Sequence, residues 1–182
     1  MSEISFTEDA EKAADLFVAV LSKALANRVL DEAFAGQITM PQLQSLRYLL
    51  YNDDRLMSDL AEGLDISYPA ATKTVERLVK KGLVVREGDP TDRRVVRVHL
   101  TEQGKGLVEQ INAEMNSRLA SVIERLEPAD REALITGLRA FVCAALEEID
   151  NREIASSICL HCGRRHRGDC PVGAAMARSS SQ

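Results

Sequence analysis

Four side chains that bind soft metal ions lie close together near the C-terminus of this 182-residue chain. They follow one another with the spacing C-x2-C-x3-H-x3-C and are Cys159, Cys162, His166 and Cys170. Thiolates and an imidazole at such short intervals are typical ligands of a tetrahedral zinc ion. The pattern therefore predicts a metal site at these four residues, with His161 and Cys143 as alternative ligands.

This Cys-rich tail, residues 151–182, supports three interpretations. A structural zinc ion would order a polar segment that lacks a core of its own. An iron–sulfur cluster or a reactive thiol would instead make the tail a sensor, since three of residues 164–167 are arginines that favour thiolates. Cys170-Pro171 is also a turn found beside iron–sulfur ligands. In the third interpretation the tail has neither metal nor function. Cys143, beside Phe141, is expected to be a small buried apolar residue.

Residues 67–99 are the basic part of an otherwise acidic chain. They contain eight Lys and Arg residues against four Asp and Glu residues, whereas the whole chain has a net charge of −5. A basic face on an acidic body attracts phosphates where contact is needed and limits binding elsewhere. The alternative, a solvated charged surface, is the common interpretation of a basic helix in isolation. The neighbouring elements favour binding to double-stranded DNA.

A helix is predicted to begin at Ser67, its cap, and to end at Gly82. Its apolar positions are expected to face the core and are Ala71, Val75, Leu78 and Val79. The positions left for the major groove are Ser67, Tyr68, Ala70, Thr72, Lys73 and Arg77. Lys73 and Arg77 are one helical turn apart, and either could donate a hydrogen bond to guanine O6 or N7. The methyl group of Ala70 or of a threonine could contact a thymine methyl. Tyr68 and Thr72 are alternatively phosphate contacts. Lys80 and Lys81 are expected to interact with the helix dipole.

A β-hairpin is predicted after this helix. Two β-branched runs, residues 83–86 and 95–98, flank the turn-forming stretch 87–94, which contains Gly88 and Pro90. Arg93 and Arg94 lie just past the turn, so one of them is expected in the minor groove or on a phosphate. Asp89 and Asp92 are expected to brace the hairpin by pairing with the other arginine. A short helix, a basic helix and a basic hairpin together predict a winged helix-turn-helix.

The stretch from Thr39 to Gly104 closely resembles the MarR family of prokaryotic transcriptional regulators. The matching residues are LMSDLAEGLDISYPAATKTVERLVKKGLVVREGDPTDRRVVRVHLTEQG, and the D-P-x-D-R-R motif from Asp89 resembles the wing of that family. The resemblance covers residues from about 10 to 150. It implies an obligate homodimer with intertwined terminal helices, and repression, less often activation, that a small ligand, a metal or an oxidant relieves. It also implies a ligand pocket between the dimerisation helices and the DNA-binding lobe. The family pattern ends before the Cys-rich tail.

Other helices must position this lobe. Apolar periodicity predicts helices at 9–35, 39–52, 56–64, 101–126 and 128–149. The predicted fold is mainly α, with an N-terminal dimerisation helix (1–38), a winged helix-turn-helix lobe (39–100), C-terminal dimerisation helices (101–150) and the tail (151–182). One small lobe cannot cover three long amphipathic helices, whereas a homodimer can, and its symmetry suits a palindromic operator.

Several functional classes are not expected. The chain contains no run long and apolar enough to span a membrane, and its acidic N-terminus is not a signal peptide, so a cytoplasmic location is predicted. It has no nucleophile elbow, P-loop, dinucleotide motif or H-E-x-x-H, so it is not predicted to be an enzyme. The alternative to a transcriptional regulator is an adaptor with a zinc tail, whose winged domain binds protein instead of DNA.

Overall fold

A computed structural model describes residues 3–52, 55–88, 95–149, 158 and 170–173. The helices are α1 (Glu3–Ala19), α2 (Met40–Tyr51), α3 (Met57–Gly63), α4 (Tyr68–Lys80), α5 (Glu102–Ile123) and α6 (Pro128–Ile149). The strands are β1 (Arg55–Leu56), β2 (Val84–Gly88) and β3 (Val96–Leu100). The predicted fold class is confirmed, because the described residues are mostly helical and include a small three-stranded sheet.

The N-terminal helix differs from its prediction in start and in register. It begins at Glu3 instead of residue 9, and beyond Ala19 it continues as wider, π-type turns over Val20–Asn27 and Val29–Ala33. It ends at Ala33, two residues before its predicted end, and Gly36, which was predicted to close it, has a left-handed φ of 64° and donates its amide to the Leu30 carbonyl at 3.0 Å. Apolar periodicity indicates which side of a helix is buried, but it does not distinguish α from π hydrogen bonding.

Helix starts that were predicted from capping residues are confirmed. The Ser67 hydroxyl accepts from the Ala70 amide at 3.4 Å, and the Thr101 hydroxyl accepts from the Gly104 amide at 3.0 Å. At the start of α2, the amide of Thr39 donates to the side chain of the glutamine three residues on, at 3.2 Å. Each cap satisfies an amide that has no partner inside its own helix.

The wing is an antiparallel sheet in the order β1-β3-β2. Strand β2 runs further than predicted, because Glu87 and Gly88 continue it and Gly88 pairs with Val96. The prediction that Glu87 begins the turn is therefore wrong. Strand β1 was not predicted at all. It is only two residues long and pairs Arg55 with Val98, so it depends on a partner far away in the sequence.

Helix α5 ends three residues before its predicted end at Leu126. The amide of Arg125 donates to the Val122 carbonyl at 3.2 Å, and the amide of Leu126 donates to the Ile123 carbonyl at 3.1 Å. Both hydrogen bonds span three residues instead of the four of an α-helix, as in a turn. Helix α6 then begins at Pro128, as predicted.

A single main core unites α2, α3, α4, α5 and the sheet. Its largest fully buried side chains include Leu43, Leu46, Met57, Leu60, Leu78 and Ile111. Large apolar side chains of α1 and α6 lie outside this core, and Phe141 of α6 is 71% exposed. Among the residues described, no helix combines the length and apolarity needed to cross a membrane.

Candidate nucleic-acid interface

Helix α4 is held against the lobe by one apolar row. Ala71, Val75 and Leu78 are fully buried in the main core, where α4 packs against α2 and α3. These three predictions of inward-facing residues are confirmed. Val79, predicted to face inward as well, is 40% exposed, so that prediction is wrong. At about 100° per residue, Val79 lies beside the buried row and not within it.

The side of α4 opposite this row is open to solvent. The predicted groove residues Ser67, Tyr68, Ala70, Lys73 and Arg77 are all exposed, and Thr72 is half-buried. Two cations one turn apart therefore project from a helix whose other side is fixed in the core. Such an arrangement is what a recognition helix needs in order to reach base edges and phosphates.

Lys81 has a more specific role than the predicted dipole interaction. Its ammonium donates to the Gln37 carbonyl and, at 3.0 Å, to Gln42 Oε1. Gln42 is nearly fully buried and also receives the Thr39 amide. Lys81 thus links the end of α4 to the segment that joins the N-terminal helix to α2. The sequence offered no signal for this link, because its partners are about forty residues away.

The wing contributes basic side chains from both of its long strands. Arg86 is exposed on β2 and Arg97 is half-buried on β3, where it stands opposite Glu87. His99 Nε2 is 3.8 Å from Glu87 Oε1. The predicted tip residues lie outside the described residues and are Asp89, Asp92, Arg93 and Arg94.

Polar side chains connect the lobe to the long helices, and sequence reasoning missed them. Arg47 Nε donates to Asn112 Oδ1 at 2.9 Å, which joins α2 to α5. Arg118 of α5 donates to Glu32 at 2.9 Å. The Arg118 hydrogen bond, with a second one from Arg28, lowers the pKa of the Glu32 carboxyl below its usual value. These links fix α5 relative to both the N-terminal helix and the DNA-binding lobe.

A cavity of about 750 Å³ lies behind the wing. It is bounded by the segment before α2, the junction between α4 and β2, and the first turns of α5. Its polar lining includes Gln37, Lys81, Gln103 and Gln110, with Leu83 and Leu107 as apolar walls. The Lys81 link described above therefore borders a space large enough for a small molecule.

The described part of the Cys-rich tail packs on α6. Val172 is buried against Leu146, and Cys170 and Val142 complete this small cluster. Cys143 is a free, half-buried thiol, so it is less enclosed than predicted. Cys159, His161, Cys162 and His166 lie outside the described residues. Among the residues that the structure does describe, no group of three or more Cys, His, Asp or Glu side chains is placed to hold a metal ion.

Comparison with known proteins gives consistent results. A family model described as MarR family matches residues 37–95. The uncharacterized helix-turn-helix transcriptional regulator YfiV of Bacillus subtilis is 32% identical over 132 residues, which cover 72% of this chain and 81% of YfiV.

Two solved structures are similar in fold. A MarR family protein from Bacillus stearothermophilus is 26% identical, with a TM-score of 0.66 over 83% of this chain and 99% of that one. Streptococcus pneumoniae FabT, solved in complex with DNA, is 20% identical, with a TM-score of 0.61 over 79% of this chain and 99% of that one.

Proposed function

The chain belongs to the MarR family of transcriptional regulators, and from that premise we propose that it represses transcription by binding a palindromic operator as a homodimer. The observation that carries the proposal is the exposed face of α4, where Lys73 and Arg77 project from a helix anchored in the core. The fold neighbour FabT was crystallised in complex with DNA, which is in keeping with this use of the fold.

Exposed apolar side chains on the terminal helices support the homodimer. Phe6 and Leu16 of α1, and Leu138 and Phe141 of α6, are all among the exposed large hydrophobic residues. A single copy leaves these faces in water, which is costly for a patch of this kind. A second copy that covers them would place two recognition helices symmetrically, as paired half-sites require.

Salt-dependent binding tests the DNA contacts. Lys73→Ala and Arg77→Ala should each weaken binding to an operator duplex. If the lost contact is to a phosphate, the slope of log affinity against log salt should fall by about 0.9. Lys12→Ala, which removes an exposed cation of α1, is the matched control and should leave the slope unchanged. Wild-type affinity and slope in both α4 variants would contradict the proposed role of α4.

We further propose that a small acidic molecule releases the operator by binding in the cavity behind the wing. Among the described lining residues none is acidic, and the Lys81 ammonium is shared between two neutral oxygens. A carboxylate would compete for that ammonium more strongly than an amide oxygen does. Binding would then loosen the link between α4 and the segment before α2, and so change the position of the recognition helix.

The matched pair Lys81→Met and Lys80→Met tests this site. Small carboxylic acids are screened for release of a labelled operator from the wild-type protein. An acid that releases the wild type and the Lys80 variant, but fails on the Lys81 variant, supports the cavity. Equal release of all three proteins would place the inducer elsewhere.

For the tail we propose a zinc site at Cys159, Cys162, His166 and Cys170, with an iron–sulfur cluster as the alternative. The proposal rests on the ligand spacing and on the packing of Cys170 and Val172 against α6. A ligand anchored in this way would couple the metal to α6, the helix that is proposed to take part in dimerisation. Metal analysis and an absorption spectrum, on protein purified without oxygen, separate the cases.

The outcomes of the metal analysis are distinct. A content of about one zinc per subunit without visible absorption, and its loss in Cys162→Ser, would support the zinc site. Iron together with acid-labile sulfide would support the iron–sulfur cluster. Metal-free protein contradicts both.

A further inference from the structure

The side chains at the start of the proposed recognition helix are uncharged, and two of the large ones are exposed. From Ile66 to Thr72 the sequence ISYPAAT contains no charged residue, and the first cation is Lys73. Ile66 is 37% exposed and Tyr68 is 46% exposed, although both are large side chains. The segment that a winged helix inserts most deeply is therefore uncharged, and it exposes two large side chains with apolar surface.

Backbone hydrogen bonds fix this apolar surface in place. The Ile66 amide donates to the Ala61 carbonyl at 3.0 Å, within a turn where Asp65 has a left-handed φ of 51°. The Ser67 cap then starts α4 at the next residue. The exposure of Ile66 is thus a consequence of the turn between α3 and α4.

The hydroxyl groups of the two threonines of α4 donate their hydrogens to backbone carbonyls. Thr72 Oγ1 donates to the Tyr68 carbonyl and Thr74 Oγ1 to the Ala70 carbonyl, each at 2.9 Å. Neither hydroxyl can therefore donate to guanine O6 or N7. Thr72 is four residues from Tyr68 and lies on the same face of α4, and its γ-methyl is the apolar part of its side chain.

We infer that Ile66, Tyr68 and the Thr72 γ-methyl recognise thymine through its C5-methyl group in the major groove. The thymine C5-methyl is the one methyl group that the standard base pairs present there, so it is the base group that best matches an apolar surface in the groove. The operator half-sites should accordingly carry thymines opposite the start of α4, with guanines placed for Lys73 or Arg77. This inference rests on the proposed function.

Replacing thymine by deoxyuridine tests the inference, because it removes only the methyl group and keeps base pairing. The probe is a duplex selected by the wild-type protein from random-sequence DNA, together with copies that carry deoxyuridine at single thymine positions. At the contacted positions the wild type should bind the uridine duplex about fourfold more weakly for each methyl, the amount expected from burying one such group.

Threonine variants assign the contact. Thr72→Ser keeps the hydroxyl and removes the methyl. At the thymine position that Thr72 contacts, this variant should therefore bind the thymine duplex and the deoxyuridine duplex with equal affinity. Thr72→Val keeps a methyl and should still discriminate. Thr74→Ser is the matched control, since Thr74 makes the same type of backbone hydrogen bond on another face of α4. Ile66→Ala should lose discrimination at a neighbouring thymine.

The possible failures are distinguishable. Sequence-specific binding with no thymine preference at any position overturns the inference and leaves the proposed function intact. A thymine preference that persists in both Thr72→Ser and Ile66→Ala overturns the assignment to these residues. Failure to select any duplex overturns the proposed function, and the inference with it.

Discussion

Gly104, near the start of α5, cannot accept a side chain. A β-carbon on Gly104 would overlap the carbonyl oxygen of Leu83, and would lie 3.1 Å from its carbonyl carbon and 3.3 Å from Leu100 Cδ2. That oxygen also accepts the Thr101 amide at 3.1 Å, so the backbone there is held in place. A backbone atom cannot rotate away as a side chain can. Gly104→Ala should therefore force α5 away from the wing.

The cost should be at the upper end of what overpacking produces, about 3 kcal/mol. For a chain of this size, that lowers the melting temperature by about 6–12 °C. Gly106→Ala is the matched control, because a β-carbon there meets nothing within 4 Å. Inside a helix, that change should stabilise the protein by about 0.5–1 kcal/mol.

The assay is thermal unfolding followed by circular dichroism, at one protein concentration for all variants because the stability of a dimer depends on concentration. Gly104→Ala should melt well below the wild type, and Gly106→Ala at or above it. If Gly104→Ala melts at the wild-type temperature, the described contact between α5 and the wing is wrong.

Three further predictions concern the elements around the lobe. Arg118 lowers the pKa of Glu32, so this pair stabilises the fold above the ordinary glutamate pKa of about 4.3, and the contribution is lost as the pH falls through the lower, folded value. Glu32→Gln should accordingly reduce stability in urea at pH 7, and the reduction should become smaller as the pH is lowered below about 4. An equal reduction at every pH would exclude a charge effect. Phe141→Glu should convert the proposed homodimer to a monomer in light scattering, and an unchanged mass would remove α6 from the proposed interface. Val172→Asp should release the tail from Leu146 and speed its proteolysis, while unchanged protection would show that the small cluster does not hold the tail.

Local chemistry made much of the fold predictable. Ser67 and Thr101 specify helix starts because a hydroxyl and the amide three residues on are all that a cap requires. Gly36 and Gly82 mark chain reversals for a similar reason, since both have a left-handed φ. The predicted D-P-x-D-R-R tip falls outside the described residues, and so do the predicted metal ligands other than Cys170 and the alternative Cys143, so the tip and the metal site stay predictions.

Features that depend on distant partners could not be predicted in this way. Strand β1 is extended because it pairs with Arg97 and Val98 across the lobe, and two residues carry no periodicity. The Lys81 link likewise needs the buried Gln42 to be in place. The exposure of Val79 was mispredicted because it adjoins Leu78 in sequence, although the core contacts only one row of α4. The exposed residues of α4 could therefore be predicted from the sequence. The Lys81 link, which connects α4 to the segment beside the cavity, could not.

Whether the protein binds a palindromic operator as a homodimer can be tested by selecting duplexes from random-sequence DNA and then measuring the mass of the complex with the enriched duplex. We expect an inverted repeat, with half-site centres about 10 base pairs or a multiple apart, bound by two chains. No enrichment, or a single unrepeated site bound by one chain, would contradict it.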